Sequence, residues 1–156
     1  MRKELSLGFD IQSQPDEVTC GPTCLHALYQ YYGEDVSLKQ VIREVKHLKT
    51  GGTLAVMLGN HALQRGYKAH IYTYNLNVYD SIKGEPVGHF VIISGYEEEK
   101  NSVYLADPMT PNPLGKGQVY KVSFPRLINS IMLGIVTYDA NLLVIEPKKK
   151  TMITKA

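Results

Sequence analysis

The chain has no run near the roughly 18 consecutive apolar residues that a membrane-crossing helix needs, so no span is expected. It has no Gly-rich loop to cradle a phosphate, no internal repeat and no low-complexity segment. Charge of one sign is scarce: 17 basic and 15 acidic residues leave a net +2, too little to argue for nucleic acid. The one dense basic run, Lys148-Lys149-Lys150, reads as a solvated tail. There are only two cysteines, Cys20 and Cys24, so no disulfide framework is available. At a spacing of four on one helix they share a face but rarely bridge, which leads us to expect reduced thiols and a cytoplasmic setting. They have no second ligand pair at zinc-finger spacing, so neither a metal nor a cofactor is expected. The opening Met1-Arg2-Lys3 is followed by Glu4 and Asp10, which interrupt any signal-peptide apolar region.

What remains is an ordinary globular composition: 156 residues, 44% hydrophobic and 21% charged. The length fits one domain, read as 1–147, with a basic tail at 148–156. The central stretch is Gln14 to Gly33. A polar loop with Pro15 leads into Cys20-Gly21-Pro22, where a proline in the first helical turn is tolerated. Leu25, Leu28, Tyr29 and Tyr32 recur at helical spacing, and Gly33 supplies a stop. The spacing predicts a helix over Cys20 to Tyr32, with Cys20 at its N-terminus. Free N–H groups and the helix dipole there favour a thiolate.

Before this helix, Leu5 to Ile11 is expected to form a short strand or packed arm. After it, Ser37-Leu38-Lys39-Gln40 has a capping-box pattern and opens a second helix with Val41, Ile42, Val45 and Leu48 as its apolar stripe. Thr53 is expected to cap a third helix in which Leu54, Met57, Leu58, Ala62 and Leu63 are the apolar positions, with Gly66 just past its end. The period then changes from helical to alternating. Strands are predicted over Tyr67 to Tyr74, His89 to Tyr96, Val103 to Ala106 and Gln118 to Val122, with a polar connection from Asn75 to Gly88. A proline-rich loop follows Asp107, a short helix covers Arg126 to Met132, and Ile135 to Tyr138 is expected to pair with Leu142 to Ile145. Helices first and strands second is the α+β signature: a helical lobe and an antiparallel sheet lobe.

Parity in the hairpin from His89 to Asp107 places chemistry. If Tyr96 pairs with Lys100, His89 faces Asp107 directly. If Tyr96 pairs with Ser102, His89 faces position 109 and Asp107 is one diagonal step away. Both registers keep the two on one face, and a shift of one residue separates them. A histidine beside a carboxylate, facing a helix-borne cysteine, makes an activated thiol nucleophile. For the oxyanion of a tetrahedral intermediate, the donors expected are the Cys20 N–H and the side-chain amide of Gln14, which carries no charge to desolvate.

Gln14, then Cys20-Gly21 six residues on, Cys24-Leu25 and a helix ending Tyr31-Tyr32-Gly33 together resemble the bacteriocin-processing cysteine peptidases, peptidase family thirty-nine of the cysteine class. Gly88-His89-Phe90-Val91-Ile92 and Val103-Tyr104-Leu105-Ala106-Asp107-Pro108 resemble the same family in the same order. The resemblance spans roughly Gln12 to Pro108 and implies a papain-like fold that cuts leader peptides after a double glycine. It implies Cys20 as nucleophile, His89 as base, Asp107 as orienting carboxylate and Gln14 as oxyanion donor. Its expected partner is a peptide or protein substrate, with a transporter or fused partner left open. The chain departs from the family pattern in a short Asn75 to Gly88 segment, where Gly84-Glu85-Pro86-Val87 reads as a remnant. Two other readings stay open: a non-catalytic peptide-binding module of the same fold, and an amidase or acyltransferase using the same triad.

The other features read as structural. Cys24 is expected in the core, and His26, His47, His61 and His70 as surface or satisfied core residues. The eleven tyrosines read mostly as packing residues. Gly51-Gly52 reads as a turn, and Gln118 to Ile145 as sheet completion without chemistry.

Overall fold

The computed structural model describes residues 3–49, 51–73, 89–112, 117–133 and 140–148. The expected connection over 75–88, the proposed strand over 135–138 and the tail beyond Lys148 lie outside these residues. In chain order the elements are β1 (Glu4–Ser6), α1 (Cys20–Tyr31), α2 (Leu38–Glu44), α3 (Ala55–Gln64), β2 (Tyr67–Thr73), β3 (Ile92–Glu97), β4 (Ser102–Ala106), β5 (Val119–Ser123), α4 (Phe124–Leu133) and β6 (Asn141–Pro147). Helices first and antiparallel strands second is the α+β arrangement anticipated from the change of period.

Strands β1, β3, β4 and β5 form a four-stranded antiparallel sheet in the order β1-β3-β4-β5. A separate antiparallel pair joins β2 to β6, with Tyr67 opposite Pro147 and Thr73 opposite Asn141. The partner described for β6 is therefore β2, far back in the chain, and there are two sheets where one was expected. The β2–β6 pair belongs with the helices. Leu25 and Tyr29 of α1, Val41, Leu58, Ala62, Tyr67 and Ile145 share one buried cluster. A second cluster, Val103, Leu105 and Leu127, fixes α4 against β4. Between them lie Ile11, Cys24, Ala27 and Ala106, with Phe90 packed against both this cluster and the helical one.

Some local expectations are corrected. Ser37 caps α2, its Oγ accepting from the Gln40 N–H at 3.2 Å. However, α2 ends at Glu44, and Leu48 is left exposed rather than continuing the stripe. Leu54, not Thr53, occupies the cap position of α3, and the Thr53 hydroxyl is buried without a hydrogen-bond partner. Leu54 and Leu63 are exposed, while α3 buries Ala55, Leu58, Gly59, His61 and Ala62. His61 does have an acidic neighbour: its Nδ1 meets the Tyr29 hydroxyl at 2.9 Å and its Nε2 meets Glu44 at 3.3 Å. It is a satisfied core histidine that ties α1, α2 and α3 together. Arg65 extends the same network to Glu34 and Glu44, and Tyr67 donates to Glu34 at 2.9 Å.

The β3–β4 register positions the site. Near the hairpin turn, Tyr96 faces Val103 and Gly95 faces Tyr104. That register differs by three residues from the first register considered above and by one from the second, and extended unchanged it would put His89 and Asp107 on opposite faces. A bulge between Ile93 and Gly95 shifts the pairing, so that Ile93 faces Leu105 and Ile92 faces Ala106. Continued toward the site, this register sets His89 opposite position 109, with Asp107 one diagonal step away. The parity of the second expected register is restored by one extra residue. The bulge residue, Ser94, is buried. Its hydroxyl donates to the Tyr104 carbonyl at 3.3 Å, and its own carbonyl accepts from the Leu7 N–H at 2.7 Å.

Beside the bulge, β1 approaches so closely that a Cβ on Gly95 would lie 2.2 Å from the Leu5 carbonyl oxygen. Gly95→Ala is expected to lift β1 off the sheet and to destabilise the domain by about 1–3 kcal/mol. Urea unfolding monitored by circular dichroism checks this, and unaltered stability would contradict the close approach.

Candidate active site

Cys20 is the first residue of α1. The preceding Thr19 caps with no side-chain hydrogen bond. Its hydroxyl instead makes a long contact to the Asp16 carbonyl at 3.5 Å, leaving the positive end of the helix to the thiol. Cys20 is buried, only 6% exposed. The next residue has to be small. A Cβ on Gly21 would lie 2.5 Å from Thr53 Oγ1, 3.1 Å from Leu58 and 3.2 Å from the Phe90 ring.

His89 and Phe90 lead into β3 from across the cleft. The His89 Nε2 meets Asp107 Oδ1 at 2.8 Å, and the Cys20 thiol lies close enough to the ring for each to shift the other's pKa. The Phe90 carbonyl accepts from the Cys24 thiol at 3.3 Å, and the Phe90 backbone is near enough to Cys20 to help lower that thiol's pKa. Cys24 is thus buried core, as expected, and both cysteines are free.

Electrostatics follow from these contacts. Burial opposes charge on Cys20, but the hydrogen bonds from His89, Phe90 and Gly21 and the nearby imidazolium outweigh it, and its pKa falls below the usual thiol value. One turn on, Cys24 is pushed up by burial first and then by the Cys20 and Asp107 charges, so it stays a thiol. His89 rises to about 9, driven first by its hydrogen bond to Asp107 and then by the one to Cys20, against a smaller loss from burial. For Asp107 burial is the largest single influence and raises the pKa. The bonds from His89, the Met109 N–H and Tyr120, with the His89 charge, together outweigh it and lower the pKa.

Asp107 follows β4 directly and is 3% exposed. Oδ1 also accepts the Met109 N–H at 2.8 Å, while Oδ2 accepts from the Tyr120 hydroxyl at 2.8 Å and from Asn112 at 3.4 Å. Its backbone N–H donates to the Gln118 carbonyl at 2.8 Å. Tyr120 and Gln118 fall in the segment read from sequence as mere sheet completion, and that reading is corrected. A hydroxyl-bearing residue in a strand two places beyond a hydrogen-bond partner of Asp107 was the available signal, but it needs the β4–β5 register to be seen.

Gln14 is placed differently from the other three. Its backbone N–H donates to the Pro108 carbonyl at 2.9 Å, pinning the loop beside Asp107. One side-chain N–H donates to the Asp16 carbonyl at 2.8 Å, and Oε1 is buried without a partner. The structure thus brings Cys20, His89 and Asp107 together, joins the last two by a hydrogen bond, and ties the Gln14 loop beside Asp107. Among the described residues, no group of three or more His, Cys, Asp or Glu is arranged to hold a metal ion.

A thiol at a helix N-terminus facing a sheet-borne imidazole, set between a helical lobe and an antiparallel sheet, defines the papain-like class of cysteine-type peptidases. Residues 6–129 match the model of the Peptidase_C39-like family, and the chain belongs to that family. Solved structures share the fold. A double glycine motif protease from an AMS/PCAT transporter, crystallised with the leader peptide, aligns with a TM-score of 0.63 at 18% identity, covering 94% of this chain and 99% of that one. The peptidase domain of Streptococcus ComA, a bifunctional ABC transporter of a quorum-sensing pathway, aligns with a TM-score of 0.64 at 18% identity, covering 90% and 100%. The same domain from Streptococcus mutans aligns at 0.54, with 18% identity over 89% and 100%. No curated protein sequence matches the chain. Among the described residues, no helix is long and apolar enough to cross a membrane.

The charge pairing sets a pH window. With the Cys20 pKa lowered and His89 raised to about 9, the thiolate–imidazolium pair forms below the usual thiol pKa and is lost as the imidazolium deprotonates near pH 9. Iodoacetamide should therefore alkylate Cys20 well below pH 8.5, the approximate pKa of a free thiol. In His89→Ala, burial is no longer offset by the imidazolium, and the pKa should return to the ordinary value or above. A wild-type profile matching that of a free thiol would show that the pair does not form.

Proposed function

We propose that the protein is a leader-peptide-processing cysteine peptidase that cleaves a peptide bond after a double glycine. The observation that carries this reading is the His89 ring, held between the Cys20 thiol and the Asp107 carboxylate. The Cys20 thiolate attacks the scissile carbonyl carbon, forming a C–S bond and an oxyanion. The Cys20 N–H and the remaining N–H of the Gln14 amide stabilise that oxygen. Collapse breaks the C–N bond while the His89 imidazolium protonates the leaving amine. Water then attacks the thioester, His89 takes its proton, and the acid leaves with the thiolate restored. Asp107 keeps Nε2–H engaged and stabilises the imidazolium throughout.

The burial of Cys20 also supports the glycines. A cysteine only 6% exposed is reached by a substrate backbone that brings no Cβ to the cleavage position. The matched transporter protease is itself described as a double glycine motif protease bound to a leader peptide, which supports the same substrate class here.

A synthetic leader peptide ending in Gly-Gly, joined to a short cargo, tests the reading. Cys20→Ala should abolish cleavage while leaving the circular dichroism spectrum intact. Persistent cleavage would remove Cys20 as nucleophile, and an uncut but bound peptide with the wild type would favour a binding module.

Asp107→Asn should lower kcat by up to about 10⁴ with little change in KM, the loss seen when a triad carboxylate is neutralised. Gln14→Ala should lower kcat by about 10²–10³ yet leave Cys20 alkylation unchanged, because the amide acts only on the oxyanion. Equal turnover in Gln14→Ala and wild type would assign the oxyanion to other donors.

A further inference from the structure

A carboxylate that steers a histidine has a weak point. The terminal torsion of aspartate is broad and two-fold, so the side chain itself does little to hold one oxygen toward its partner. In this site Oδ1 faces His89 and the Met109 N–H, both at 2.8 Å. The opposite oxygen, Oδ2, has one short donor, the Tyr120 hydroxyl at 2.8 Å, and a longer one from Asn112 at 3.4 Å. Tyr120 is well anchored for this. Its backbone pairs with Leu105 in β4, and its ring packs on the Val103, Leu105 and Leu127 cluster. The phenol is pushed up to about 12, by burial first and then by the Asp107 bond and charge, so it remains a donor wherever thiol chemistry runs.

We propose that Tyr120 is a positioning residue of this site: its hydroxyl locks the Asp107 carboxylate with Oδ1 toward His89, and so widens the pH range over which the Cys20–His89 pair persists. This rests on the reading of Cys20, His89 and Asp107 given above. A tyrosine in a strand usually packs and leaves its hydroxyl wet. Here the hydroxyl instead meets a buried carboxylate on the oxygen that the histidine does not use.

The test is the pH dependence of iodoacetate alkylation at Cys20, localised by peptide mass spectrometry and followed from about pH 4 to about pH 10; the anionic reagent is drawn by the imidazolium, so its rate falls as His89 deprotonates. Tyr120→Phe deletes one oxygen and keeps the ring. It should bring the alkaline limb down by about one pH unit, since a hydrogen bond to a charged group is typically worth that order. Asp107→Asn should move the limb further, and adding Tyr120→Phe to Asp107→Asn should move it no more, because the tyrosine acts through the carboxylate. With the leader peptide, Tyr120→Phe should lower kcat at unchanged KM.

A Tyr120→Phe profile superimposed on the wild type would overturn the inference and leave the triad standing. So would an equal further shift in the Asp107→Asn background. A wild-type Cys20 that titrates as a free thiol would overturn the triad and the inference together. If Tyr120→Phe folds poorly, the His89 Nε2 proton resonance of its folded fraction gives the second readout. It should move from its wild-type position, and an unmoved resonance would count as disproof.

Discussion

One extra residue in one strand decides which face of the sheet carries the histidine. Side chains alternate along a strand, so a single-residue shift exchanges every position between core and cleft. The turn-side register of the β3–β4 hairpin has the wrong parity for His89 and Asp107, and the bulge at Ser94 corrects it. The correction is structurally secured. The Ser94 hydroxyl is spent on Tyr104, its carbonyl on Leu7, and the adjacent Gly95 admits the β1 backbone at a distance no side chain would allow. The edge strand β1 thus has a purpose beyond lengthening the sheet: it braces the bulge from which the histidine's orientation follows.

The charges then form a series of dependences. Burial disfavours ionisation at both Cys20 and Asp107, yet His89 between them helps to lower both pKa values. Each partner has further support: Cys20 has the N-terminus of α1 and the Phe90 backbone, and Asp107 has Met109, Asn112 and Tyr120. In a partly desolvated cleft such hydrogen bonds are stronger than in water, and an unpaired member would be correspondingly costly. The polar network around His61 in the helical lobe obeys the same rule without chemistry: both ring nitrogens are satisfied, and the group is enclosed by packing.

The site was more legible in the sequence than its supports. Local signals placed Cys20 at a helix start, because Pro22 and the following apolar spacing are short-range features. Strand alternation placed His89 and Asp107 on one face, although the bulge that makes this true has no local signature. Tyr120 was missed because its partner depends on the β4–β5 register, and a tyrosine in an alternating strand looks like a packing residue. The β2–β6 pairing was missed for a related reason. Tyr67 and Pro147 are brought together by tertiary packing on the helices, and no turn chemistry announces it. The error at Leu48 has a plain cause: helical periodicity marks a face as apolar without saying where the helix stops.

Phe90 is where the two lobes become one site. Its ring packs against both the helical cluster and the cluster containing Cys24 and Ala106, while its carbonyl accepts from the Cys24 thiol. The segment leading into β3 is thereby fastened to the face of α1. His89, immediately before it, inherits that position. Cys24, whose pKa burial pushes up, is suited to donate to the Phe90 carbonyl, while the Phe90 backbone helps to lower the pKa of Cys20. Gly21 completes the fit by leaving the Phe90 ring room beside the helix start. Packing that stabilises the domain and geometry that aligns the imidazole are therefore the same contacts, so a substitution that loosens Phe90 would be felt at the Cys20 sulfur.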